Sequence, residues 1–398
     1  MAAIVENKMI RTAIPVLILL AAISAPAQQP PPAPLFSTEM IKSFTPPDNP
    51  ITDAKAKLGD MIFDEKRLSV DNSVACNTCH SPRNGFTTHT PAARGAGDQI
   101  GKRNAPSILN AMFYRSMFWD GRAATLEEQA TLPILNPVEM GQKNPEDVVA
   151  KLSAIPEVVA AFQQVFGRPP NWEDMSRALA AFERTRISTE APFDRFLHGD
   201  EKAFNASQRR GWALFTGKAQ CGNCHTYDPA LPLLGDNRFH NTGAGARNQD
   251  FSELAAQAAK SKGAAAGDKA GIDKLALETD YSELGRFLVT QKNEDIGAFK
   301  TPFLRDVLLT GPYMHDGSLE TLWDVIEFFN KGGKRNHFLD AGMKPLGLTA
   351  SEVDDLAAFL GGLTSDRFAD LRAAELDRQH TAYLYRLALQ REVPRGSR

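Results

Sequence analysis

All four cysteines of this 398-residue chain fall in two five-residue motifs, Cys76-Asn77-Thr78-Cys79-His80 and Cys221-Gly222-Asn223-Cys224-His225. C-x-x-C-H is the attachment pattern of a c-type haem. The two thiols fix the porphyrin covalently, and the histidine that follows is thereby placed beneath the iron as its proximal ligand. Cys76, Cys79, Cys221 and Cys224 are therefore assigned as thioether anchors, with His80 on the first iron and His225 on the second. Zinc or disulfides are the alternative uses of such cysteines. Two complete motifs, each preceded by a similar helix, favour haem.

Those helices end alike, in Gly59-Asp60-Met61-Ile62-Phe63 and in Gly211-Trp212-Ala213-Leu214-Phe215. The pattern is that of a duplicated small haem domain. Further helical periodicity covers Pro145–Phe166, Trp172–Phe196, Leu319–Asn330 and Thr349–Leu363, the last opened by the capping box Thr349-Ala350-Ser351-Glu352. No alternating strand pattern of any length occurs. The expected fold is mainly α: two cytochrome c-like haem domains packed against each other, with long irregular loops.

At the N-terminus, Lys8 and Arg11 precede an apolar run from Ala13 to Ile23 and the cleavage site Ala25-Pro26-Ala27. That order is a signal peptide, residues 1–27; the run is short for a membrane span, with an uncleaved anchor as the alternative. The expected mature protein is soluble and periplasmic. A Pro-rich linker with little capacity to pack follows at 28–46. The haem domains are placed at 47–196 and 197–366, and a helical tail that frays at Pro394 at 367–398. Within the second domain, 252–278 is Ala-rich and Lys-dotted, and is expected to be a surface insertion without chemistry of its own. A formal charge of -3 and the absence of a basic run argue against a nucleic-acid partner.

What closes the sixth position of each iron decides between electron transfer and chemistry. For the second iron, Met314 in the Gly/Pro-punctuated loop Gly311–Gly317 is favoured, with its neighbour His315 as competitor. After His80, His89 is the one histidine in the stretch through Gly101. It either reaches the first iron or faces solvent, as loop side chains usually do.

The stretches Arg103-Asn104-Ala105-Pro106, Phe118-Trp119-Asp120-Gly121-Arg122, Leu126-Glu127-Glu128-Gln129-Ala130, Asn136-Pro137-Val138-Glu139-Met140 and "FKTPFLRDVLLTGPYMHDGSLETL" resemble the bacterial dihaem cytochrome c peroxidases, a family that includes MauG. The resemblance runs from about Pro47 to Gly362. It implies that the His80 haem is the peroxidatic one and the His225 haem the electron-transfer one. Glu139 would be the acid/base over the first haem's open face, with Gln129 and Phe118 lining that pocket. The bland alternative for Glu139 is a first-turn carboxylate facing a helix dipole. Trp119 would mediate electron transfer between the haems, its alternative being an ordinary buried aromatic. Asn104 would ligate a calcium ion together with carbonyls near Asp295 and Gly297. His240 would touch a haem propionate or else lie on the surface.

Two departures from the family pattern matter. Members that need reductive activation carry a histidine in the loop before R-N-A-P; here that position falls near Ala96, in a stretch without histidine. MauG proteins have a tyrosine where this chain has Met314. The implied activity is reduction of hydrogen peroxide with electrons from a small c-type cytochrome or cupredoxin, and related peroxidases are often homodimers. The rival functions are a MauG-like oxidase acting on a protein or other donor, and a non-catalytic dihaem electron carrier.

Overall fold

Each haem motif is delivered by the same kind of helix crossing. In the computed structural model, which describes residues 35–246, 250–261 and 268–392, the helix Asp53–Phe63 lies across Trp172–Arg184. The contact is so close that a Cβ on Gly59 would sit 2.1 Å from the Ala178 carbonyl oxygen. The helix Ala206–Thr216 crosses Ala350–Gly361 in the same way, with a Gly211 Cβ falling 2.0 Å from the Asp355 oxygen. The glycine of each G-x-x-aliphatic-Phe ending is thus required by backbone approach. The phenylalanine four residues on then reaches the haem motif: Phe63 to His80 and Phe215 to His225 both have ring centroids 6.4 Å apart.

The fold is mainly α; among the described residues two two-residue strands, Phe239–His240 and Phe299–Lys300, pair antiparallel. One apolar core gathers Leu58, Ile62, Phe63, Leu179 and Phe182; a second gathers Phe215, Trp323, Leu356 and Phe359. Among the described residues no single helix is long and apolar enough to cross a membrane. The signal peptide 1–27, the first part of the linker, residues 262–267 of the insertion and Pro394 lie outside the described residues.

Several sequence expectations need correction. The run Pro145–Phe166 is two helices, Pro145–Ser153 and Pro156–Phe166, bent by 102° where Pro156 opens the second. The run Trp172–Phe196 likewise stops at Arg184 and resumes at Pro192–Leu197. The end of the linker does pack: Thr38–Ser43 is a helix, and buried Phe36 meets Phe113 at 5.7 Å. The Ala-rich insertion is no surface appendage either. Its helices Phe251–Ala258 and Lys269–Glu278 bury Ile272, Leu275 and Leu277 against Leu284 and Phe287. The tail is one long helix, Ala369–Glu392, whose Gln379 is fully buried.

Candidate active site

The two haem motifs open onto one continuous cavity of about 440 Å³, with Cys76, Cys79 and His80 along one part and Cys221, Cys224 and His225 along the other. All four thiols are free of disulfides. His80 Nδ1 faces the Phe86 carbonyl at 3.2 Å and His225 Nδ1 the Leu234 carbonyl at 2.9 Å. A bond at Nδ1 fixes the tautomer that leaves Nε2 with its lone pair, as an iron ligand needs. Burial lowers the pKa of both imidazoles and keeps them neutral. The wall also holds Lys300, whose buried ammonium donates to the Ser116 carbonyl and sits 3.6 Å over the Tyr114 ring. Burial pushes this amine down to about 7, so an anion such as a haem carboxylate would complete its surroundings. The donor set, the mostly apolar lining and the buried cation fit two covalently held haems.

Over the cavity, the two halves present copies of one loop. Asn110 and Asp306, each with positive φ, open the single turns Ala111–Phe113 and Val307–Leu309. Bridges Met117–Ala123 and Tyr313–Leu319 then close two identical hairpin bends, and Thr125 and Thr321 cap the helices that follow. At the apex, Phe118 with φ 64° matches Met314 with φ 71°, Trp119 matches His315, Asp120 matches Asp316, and Gly121 matches Gly317. The separation along the chain is constant through the whole stretch, a signal readable in the sequence once the loops are aligned. Both Phe118 and Met314 line the cavity. A thioether can ligate iron; a phenyl ring cannot. His315 turns away to a buried contact with Glu283, Nε2 to Oε2 at 2.9 Å, and stacks on Phe299 at 3.6 Å.

Glu139 and Gln129 line the first part of the cavity together with Phe118. Glu139 is half-buried and borders this cavity. Burial first, and nearby Asp273 second, push its carboxyl up to about 7 against the pull of Arg122. Arg122 stacks over Phe118 at 3.6 Å and joins a buried chain of charges: Arg103 to Asp120 at 2.6 Å, Arg122 to Asp120 at 3.2 Å and to Asp273 at 2.8 Å. Trp119 is held where the two haem-lining segments meet. Its indole donates to the Asn104 carbonyl at 2.9 Å, and its own carbonyl accepts from Lys300 N at 2.7 Å.

Other residues singled out by the sequence lie around this group. His89 is exposed, in the field of Glu375 on the tail helix. Ala96 is buried, its amide donating to the Glu139 carbonyl. Asn104 spends its amide on the Thr90 and Pro91 carbonyls, whereas the Asp295 and Ile296 carbonyls are taken by Ala298 and Asn241. The Asn104 bonds use its amide nitrogen, not the oxygen through which it would ligate calcium. His240 has both ring nitrogens engaged, by Asp236 at 3.0 Å and Asp340 at 2.7 Å, which raises its pKa and leaves neither nitrogen for a propionate. Sequence reasoning missed Asp273, and also Glu183. The latter is buried in the cavity wall with Oε2 unpartnered, and burial pushes it up to about 8 against the pull of Arg184.

A family model for di-haem cytochrome c peroxidases matches residues 53–202. The cytochrome-c peroxidase IdrP1 of Denitromonas iodatirespirans is 38% identical over 328 residues, 80% of this chain and 84% of that protein. The chain belongs to the di-haem cytochrome c peroxidase family. The methylamine utilization protein MauG of Methylorubrum extorquens is equally similar, 38% identical over 323 residues and 81% of each chain. Among solved structures, a MauG-like protein associated with microbial copper homeostasis is 29% identical, with a TM-score of 0.67 over 81% of this chain and 92% of that one. The diheme peroxidase BthA from Burkholderia thailandensis shares the fold at 21% identity and a TM-score of 0.62. Membership of the di-haem cytochrome c peroxidase family implies two haem c groups, in agreement with the cavity.

Proposed function

We propose that this protein is a periplasmic peroxidase that reduces hydrogen peroxide, with two electrons and two protons, to two molecules of water. The observation that carries this reading is the replacement of the Met314 thioether by the Phe118 ring at the matching place over His80, beside a half-buried carboxyl poised near neutrality. Bound haem would supply one-electron redox chemistry and, over His80, an iron with an open face.

Glu139 takes a proton from the near oxygen of peroxide and returns it to the departing one. A carboxyl raised to about 7 can do both at neutral pH. Phe118 and Gln129 confine the substrate, and the apolar lining keeps Glu139 from being levelled by bulk water. Electrons come singly from a small c-type cytochrome or cupredoxin docking near the His225/Met314 end, with Trp119 between the two halves. The test is steady-state oxidation of reduced cytochrome c by peroxide. Glu139→Gln is expected to lower turnover roughly 100-fold or more; normal turnover by that variant would refute the acid/base role.

The similarity to MauG supports a second reading, an oxidase that modifies a protein or other donor. Little cytochrome oxidation but peroxide-dependent modification of a partner would favour it.

A further inference from the structure

The Lys269–Glu278 helix of the insertion carries one carboxylate, Asp273, into the wall behind the first haem position, where it is 6% exposed. Two walls of the site meet on it. Its Oδ1 accepts from Arg122 Nε at 2.8 Å, and its Oδ2 from the Asn136 amide. Asn136 in turn organises the turn that bears Glu139. Its Oδ1 accepts from Val138 N at 2.9 Å, and its carbonyl accepts from Glu139 N at 3.1 Å and Gly141 N at 2.9 Å. Arg122 is the cation that bears on Glu139, and its guanidinium already sits over the Phe118 ring.

We propose that Asp273 is a positioning residue of the peroxide site: by holding Arg122 and Asn136, it keeps the guanidinium from pairing with Glu139 and fixes the turn that presents the Glu139 carboxyl. The proposal rests on the reading of Glu139 as acid/base. A guanidinium free to form a charge-assisted pair would hold Glu139 ionised and take it out of proton transfer. Among the described residues, few charged groups bear on Glu139. Asp273 comes from the insertion helix, Arg122 from the Phe118 loop, and Cys79 from the haem motif, where thioether formation removes its charge. The insertion, which has no counterpart in the first half's loop, therefore supplies a charge to the site on the other half of the duplication.

The test uses the haem-loaded protein and two readouts: the acid limb of kcat/KM for peroxide, and the pH at which the infrared carboxylic C=O band removed by Glu139→Gln disappears. Asp273→Asn is expected to move both to lower pH by about one unit or more. In an Arg122→Gln background the same substitution is expected to move them less than half as far, because the released guanidinium is gone. Arg122→Gln alone is expected to move both upward, which keeps the test open should Asp273→Asn fail to fold. An unmoved band in either single variant, or an undiminished shift without Arg122, overturns the proposal. The infrared arm does not depend on turnover, so a failure of the acid/base role, seen as normal turnover by Glu139→Gln, is told apart from a failure of this one.

Discussion

Phe118 and Met314 occupy the same place in two copies of one loop, each at a positive φ and each lining the haem cavity. Duplication explains why one chain holds two related haem beds, and the side chain at the loop apex is one place where they differ. Phe118→Met should therefore make the first site resemble the second. The expected outcome is a first iron that is low-spin by electron paramagnetic resonance, slower cyanide binding, and peroxide turnover reduced roughly 100-fold. A variant that stays high-spin and turns over normally would show that the loops are not equivalent.

The amide of Ala96 donates to the Glu139 carbonyl at 2.7 Å, and the residue before it has no room for a side chain. A Cβ on Gly95 would fall 2.2 Å from the Val138 oxygen and 2.4 Å from the Glu139 oxygen. The loop before Arg103 is thus clamped against the backbone of the turn that bears Glu139. Gly95→Ala is expected to displace that turn, costing about 1–3 kcal/mol by overpacking and roughly 100-fold in turnover by misplacing the carboxyl. Thermal melts and peroxide kinetics check the two parts, and the spectrum of the His225 haem should not change.

The haem motifs and the helices before them are legible because C-x-x-C-H and the repeated G-x-x-aliphatic-Phe ending are dense local signatures, whereas Glu139 stands out only through the resemblance to a known family. Gly59 and Gly211 announce backbone contact, and C-x-x-C-H names its own purpose. Asp273 was not legible, because its partners Arg122 and Asn136 lie more than 130 residues away in the chain and its setting is Ala-rich. The breaks at Pro156 and Pro192 could have been read from the prolines alone. His240 shows the reverse limit: an isolated histidine in the sequence gives no hint of two carboxylates converging on it, one of them a hundred residues away.

Among the ties of the tail helix, one bears on the second haem bed. Gln379 donates to the Leu308 carbonyl at 2.8 Å and the Tyr313 hydroxyl at 3.0 Å, and accepts from Leu322 N at 2.9 Å. Tyr313 immediately precedes Met314, so the amide braces the Met314 loop from behind. Gln379→Leu is expected to orphan these groups at about 1–3 kcal/mol each. Methionine ligation, followed by magnetic circular dichroism during denaturant titration, should be lost before the helical signal. Loss of both together at the wild-type midpoint would show that the brace has no local effect.

Glu183 links the same architecture to pH. Its carboxyl is pushed up to about 8 by burial, with Arg184 only partly opposing, whereas in the unfolded chain it titrates near the ordinary value of about 4.3. Between those values the folded state binds the proton and the unfolded state does not. The group's contribution to stability is therefore whole below the unfolded pKa and is lost as pH rises toward about 8. Glu183→Gln, which cannot ionise, should be more stable than the parent at pH 8 by on the order of 1–3 kcal/mol and equal to it at pH 4. Denaturant midpoints measured across that interval decide the matter: a parent and a variant that fall in parallel would mean that Glu183 stays ionised in the folded protein, with its Oε2 satisfied by a bound group.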